Sequence, residues 1–210
     1  MTLPADPERA LALAYAPPGA RPTLSALFRL DEQLGAIVAR TDQPAVRQMR
    51  LTWWHEALAN LGTTRPVDPL LVELAAAPDL QPTALLPLID GWEVLLEPLP
   101  LSEELLERFG ALRGGTLFAA SGALLGGDPA ACAQAGKAWA LVDLAFRISD
   151  RVTAERALAL APSTPRPLPR ALRVLHRLAE RDRRRGLDHP RRQGSPARVA
   201  RALLAGLTGL

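Results

Sequence analysis

The chain is short of nearly everything that builds a sheet or marks an exported protein. Only 4% of its 210 residues are aromatic. Valine and isoleucine are sparse beside leucine and alanine, so the apolar mass consists of good helix formers, and a large sheet is excluded. The single cysteine, Cys132, can close no internal disulfide, so nothing points to an oxidising compartment. The opening stretch, MTLPADPERALALAYAPP, has early acids and prolines and no basic segment ahead of an apolar one, so no signal peptide is expected. No run approaches the roughly 18 apolar residues of a membrane span. A cytoplasmic protein is expected, with membrane contact at most peripheral. Lysine is also nearly missing: Lys137 stands alone, and the rest of the 25 basic residues are arginine.

What is present suits one globular domain with a substantial core: 48% hydrophobic and 22% charged residues. The charge is split along the chain. From Pro165 to Leu210 twelve arginines face Glu180, Asp182 and Asp188, a net of +9. The whole chain is +3, so residues 1–164 carry −6.

Prolines mark helix starts, because a proline in the first turn loses no hydrogen bond and a polar residue before it can cap the free N–H groups. Asp6-Pro7, Gln43-Pro44, Gln81-Pro82, Asp128-Pro129 and Ser195-Pro196 have this form. Apolar spacing of three and four then predicts helices over Pro7–Tyr15, Thr23–Arg40, Pro44–Leu61, Pro69–Ala76, Pro82–Leu96, Ser102–Ala111, Thr116–Leu125, Pro129–Asp150, Pro167–Arg185 and Ser195–Leu207. In the third, Val46, Met49, Trp53 and Leu58 are expected to form the apolar stripe. No alternating strand pattern of useful length is present. The expected organisation is a helical domain over 1–150, a proline-rich linker over 151–169, and basic helices over 167–210 that pack on the same domain.

The most distinctive segment is Arg50-Leu51-Thr52-Trp53-Trp54-His55-Glu56-Ala57-Leu58. It resembles the RL-x-WW-REAL helix of the squalene/phytoene synthase family. Further segments resemble the same family in the same order. Leu24 to Leu34 is similar to the helix that opens its active site. Leu88-Ile89-Asp90-Gly91-Trp92-Glu93 is similar to its LIDGRE helix. Phe109 to Gly126 resembles the Y-x-x-x-x-AG-x-L helix, and Gly136 to Leu141 the G-x-A-x-x-L start of the last conserved helix. The resemblance implies an all-α bundle of the isoprenoid-synthase type around a central cavity. It also implies joining of two prenyl diphosphates, with Mg²⁺ held by aspartate pairs on two facing helices to neutralise the leaving pyrophosphate.

The residues depart from that chemistry. No aspartate is followed by another four residues later, the spacing that puts both on one helix face. Four after Asp31 stands Gly35, and in the last conserved helix the aspartate positions fall near Arg147 and Arg151. A catalytically degenerate member is therefore expected, with no catalytic residue, no metal site and no cofactor. Its role would be that of a scaffold or assembly factor, as in the family's degenerate complex I assembly branch, or of an isoprenoid-lipid binder. The alternative is an active or repurposed prenyl-diphosphate transferase. That would need Mg²⁺ on Asp31, Glu32, Asp143 and Asp150, or diphosphate held directly by Arg50, Arg147 and Arg151. Resemblance points to Asp31, Glu32, Arg50, Trp54, Asp143 and Arg147 as cavity-lining, ligand-binding candidates.

The remaining motifs read as structure. The pairs Glu93/Glu97 and Glu103/Glu107 read as solvated helix faces. His55, His176 and His189 lack metal-ligand spacing with Cys132. Gly114-Gly115 and Gly126-Gly127 read as helix ends rather than a phosphate loop. The basic tail reads as a solvated arginine-rich face that balances the acidic body, or as a contact to an anionic membrane surface. Nucleic acid is not expected, since no aromatic residue follows Phe146 to stack a base.

Overall fold

The computed structural model describes residues 1–40, 43–78, 80–163 and 167–208, with side chains to residue 206. In chain order its helices are α1 (Pro7–Leu13), α2 (Arg21–Ala39), α3 (Pro44–Ala59), α4 (Pro69–Ala75), α5 (Leu86–Glu93), α6 (Glu103–Phe109), α7 (Thr116–Leu124), α8 (Pro129–Ala145), α9 (Arg151–Leu160), α10 (Arg170–Arg185) and α11 (Pro196–Thr208). Among the described residues there is no strand, so the all-α expectation holds. Nor is any helix there long and apolar enough to cross a membrane.

Local chemistry sets the helix starts. The Asp6 carboxylate accepts from the backbone N–H groups of Glu8 and Arg9 at 2.8 and 3.3 Å. Asp68 and Asp128 do the same for α4 and α8, and Ser102 accepts from Leu105 N–H at the head of α6. Pro82–Leu96, expected as one helix, is α5 flanked by tight 3₁₀ turns at Pro82–Leu85 and Val94–Leu96.

Three expectations are corrected. The segment 151–169, read as a linker with at most a short helix, opens with the ten-residue helix α9 packed on the domain. The prolines that suggested a break all lie beyond Leu160, and Asp150 caps the helix by accepting from Thr153 N–H at 2.7 Å. Buried Ala154 and Ala157 then hold it to the domain. Residues 164–166 of that segment, like 209–210 of the tail, lie outside the described residues. On α3 the stripe is rotated: Leu58 is buried as expected, but Leu51 and Trp54 are buried with it, while Met49 is 64% and Trp53 50% exposed. The two indoles meet edge to face, 5.2 Å apart, with Trp54 inward and Trp53 outward. Finally, Gly114-Gly115 is no helix end. It lies in a wide π turn, Gly110–Gly115, that joins α6 to α7 without interruption.

That turn packs closely on α8. A Cβ at Gly114 would stand 2.0 Å from the Gly136 carbonyl oxygen, and one at Gly136 would meet the Gly114 oxygen at the same distance. The two backbones can touch because neither residue has a side chain. The π turn also lies against α5, where a Cβ on Gly91 would come within 2.6 Å of Arg113 N. At the far end of the chain α10 packs on α8 and α1, and α11 on α10 and α1.

Candidate functional site

The close packing of α5, α8 and the π turn brings Arg113 between α2 and α8. Asp31, on α2, and Asp143, on α8, are 0% and 1% exposed. Arg113 holds both. Its Nε and Nη2 donate to Asp31 Oδ1 and Oδ2 at 3.0 and 2.9 Å, and Nη2 also donates to Asp143 Oδ2 at 2.9 Å. The same guanidinium lies 4.1 Å from the Trp92 ring, 4.9 Å from Trp139 and 5.5 Å from Phe109. Aromatic faces and two carboxylates together give a buried cation the partners it needs.

The other oxygen valences are filled as well. Asp31 accepts from Arg9 Nη2 at 2.6 Å and from the Trp92 indole N–H at 2.8 Å. Asp143 Oδ1 accepts from Arg147 Nε at 2.9 Å and Arg191 Nη1 at 2.8 Å. Burial by itself would push Asp31 up, but Arg113 and Arg9 outweigh it and hold the carboxyl below its usual range. The balance at Asp143 is the same, burial opposed by Arg113, Arg191 and Arg147, and its carboxyl lies well below that range. Both are ionised at neutral pH. Arg113 is driven up by the two carboxylates against the cost of its own burial.

Above this cluster opens a cleft of about 840 Å³. Ala36, Ala39, Leu95, Leu144 and Ile148 supply apolar wall, and Asp6, Glu32, Arg47 and Arg147 a polar rim. Of the residues singled out from the sequence, Asp31, Glu32, Asp143 and Arg147 are brought together here. Glu32 accepts from the backbone N–H groups of Ala5 and Asp6 at 2.8 and 3.0 Å, which ties the N-terminal segment to the rim. Arg50 and Trp54 are not part of the cleft. Arg50 is exposed on the outer face of α3 and Trp54 is buried in the core; Arg47, one turn earlier, reaches the cleft instead. Asp150 caps α9, and Arg151 pairs with Glu155 and Asp188, both away from the cleft.

Magnesium takes carboxylate oxygens that face an open coordination sphere. Here both oxygens of Asp31 and of Asp143 already accept from guanidinium or indole donors. Gly35, four after Asp31, offers no ligand, and a Cβ there would stand 2.8 Å from the Trp92 ring. Among the described residues no group of three or more His, Cys, Asp or Glu could hold a metal ion. The donor set does not fit the family's metal cluster.

Sequence reasoning missed Arg113, Arg9, Trp92 and Arg191. Two signals were available: Trp92 stands where the LIDGRE pattern has arginine, and Arg113 precedes the paired glycines that allow it to enter the core. Compared with known proteins, residues 4–160 match the family model described as Squalene/phytoene synthase. No curated protein and no solved structure matches the chain. The chain belongs to the squalene/phytoene synthase family.

Proposed function

We propose that the protein is a catalytically degenerate member of its family that keeps the cleft as a metal-independent binding site for an isoprenoid chain. The observation that carries this reading is Arg113, which joins Asp31 to Asp143 with a guanidinium fixed in the protein. Ionising an allylic diphosphate needs positive charge that can gather on the leaving pyrophosphate. At this site Arg9, Arg113, Arg147 and Arg191 are engaged by Asp6, Glu32, Asp31 and Asp143, so the charge of these four guanidinium groups is already compensated. What remains is a large cleft with apolar wall, suited to hydrocarbon more than to diphosphate. The protein would work in the cytoplasm, with its basic C-terminal helix as a peripheral contact to membrane.

The test is titration with a fluorescent farnesyl probe that lacks a diphosphate, with and without EDTA. Micromolar binding that ignores EDTA and is abolished by Ala36→Trp, which fills the cleft, is the expected result. Binding that requires magnesium, or turnover of farnesyl or geranylgeranyl diphosphate, would put the transferase reading in its place. A second reading, a scaffold or assembly factor like the family's degenerate branch, rests on the outward Trp53 and Met49 of α3. Large apolar side chains so placed suit a protein contact. If it is right, Trp53→Ser abolishes copurification of a partner and leaves probe binding unchanged.

A further inference from the structure

We propose that a second pocket, between the end of α10 and the start of α11, binds a phosphate-class anion: inorganic phosphate, pyrophosphate or a phosphomonoester headgroup. This pocket is distinct from the cleft and has a volume of about 290 Å³, far beyond the roughly 10–15 Å³ that one ordered water needs. Arg181 and Arg185 enter it from one face of α10, Arg192 from the following loop and Arg198 from α11. The one carboxylate in its lining is Asp182. That carboxylate is spent, since both its oxygens are taken by Arg198 and Arg191 lies 3.3 Å away.

The other three arginines are uncompensated. Among the described residues, Arg181, Arg185 and Arg192 make no ion pair with a carboxylate, whereas Arg177, Arg184 and Arg191 nearby all do. Like charges one helical turn apart, as Arg181 and Arg185 are, destabilise a helix, and a bound anion would offset that repulsion. Burial, with Arg185, Arg198 and Arg201 crowding in, draws the Arg181 guanidinium below the usual arginine value despite Asp182. Phe146 forms an apolar wall that concentrates the positive potential in the pocket. His189 and Pro190 of the loop and Ser195 and Ala197 at the head of the thirteen-residue α11 complete the lining. Pro196 has no N–H and those of Arg198 and Val199 donate to the Ser195 carbonyl, which leaves the Ala197 N–H as the first-turn donor. Guanidinium groups that converge in one pocket suit the tetrahedral oxygens of a phosphate.

The experiment titrates the full chain with pyrophosphate by calorimetry, and in parallel measures sedimentation with phosphatidylcholine vesicles carrying phosphatidic acid. Three variants accompany it. Arg185→Gln with Arg192→Gln removes two exposed pocket arginines. Arg170→Gln with Arg184→Gln removes the same charge elsewhere on α10. Arg147→Gln alters the cleft. Binding of at least one probe is expected, weakened about tenfold or more in the first variant and within about twofold of wild type in the other two. Response to pyrophosphate assigns a soluble ligand, and response to the vesicles alone a lipid headgroup. The proposal falls if neither probe binds, if both arginine pairs weaken binding equally, or if the loss appears with Arg147→Gln instead. Unchanged far-UV circular dichroism shows that each variant is folded.

Discussion

A guanidinium 2% exposed and hydrogen-bonded to two buried carboxylates cannot be deleted without leaving charge behind. Breaking a buried pair from one side costs about 3–5 kcal/mol, so Arg113→Met is expected to lower unfolding free energy by that amount in urea. The pH dependence gives the mechanism away. Asp31 and Asp143 titrate below the ordinary carboxylate value, so the stability they contribute is complete above about pH 4 and is lost as pH falls through their lower folded values. In Arg113→Met, burial is opposed by fewer cations, the carboxyls rise, and protonation relieves the strain earlier. The deficit against wild type is therefore largest at pH 7 and shrinks toward about pH 5. An equal deficit at both would mean that Arg113 acts through packing alone. At this scale the sequence was least legible. Asp31 and Asp143 could be found from their place in family motifs, but Arg113 reaches them across 82 and 30 residues, and no local pattern encodes such a contact.

Helix starts were legible because their causes are local: an aspartate or serine, then its own N–H partners two or three residues on. What the sequence hid was the register of α3, where a stripe through Met49 and Trp53 is as regular as the buried one through Leu51, Trp54 and Leu58. The π turn was hidden for another reason. Paired glycines commonly end helices, and only the approach of α8 explains why these do not. The approach itself is testable. Gly136→Ala puts a methyl 2.0 Å from a backbone oxygen, and backbone cannot swing aside as a side chain would. We predict a loss at or above the roughly 1–3 kcal/mol of ordinary overpacking, read from the urea midpoint, together with altered near-UV circular dichroism from neighbouring Trp139. A neutral Gly136→Ala would contradict the close contact.

Across the molecule, the acidic body and the basic tail neutralise one another at defined pairs. Arg191 meets Asp143 at 2.8 Å, and buried Arg198 joins Glu8 of α1 to Asp182 of α10, while Arg151 and Asp188 pair with the signs reversed. The opposed charges of the two parts were visible in composition; which residues met was not. Arg198→Met strands two buried carboxylates and is expected to cost about 3–5 kcal/mol, measured as a lower urea midpoint. A change of less than about 1 kcal/mol would mean that the tail is held by its apolar contacts alone. The central claim, that a protein-borne guanidinium stands where the family places metal, concerns the whole assembly of α2, α8 and the π turn. Its most direct test is calorimetric titration with a non-hydrolysable farnesyl diphosphate analogue, in magnesium and in EDTA. The account predicts binding no tighter in magnesium than in EDTA; tighter binding that depends on magnesium would contradict it.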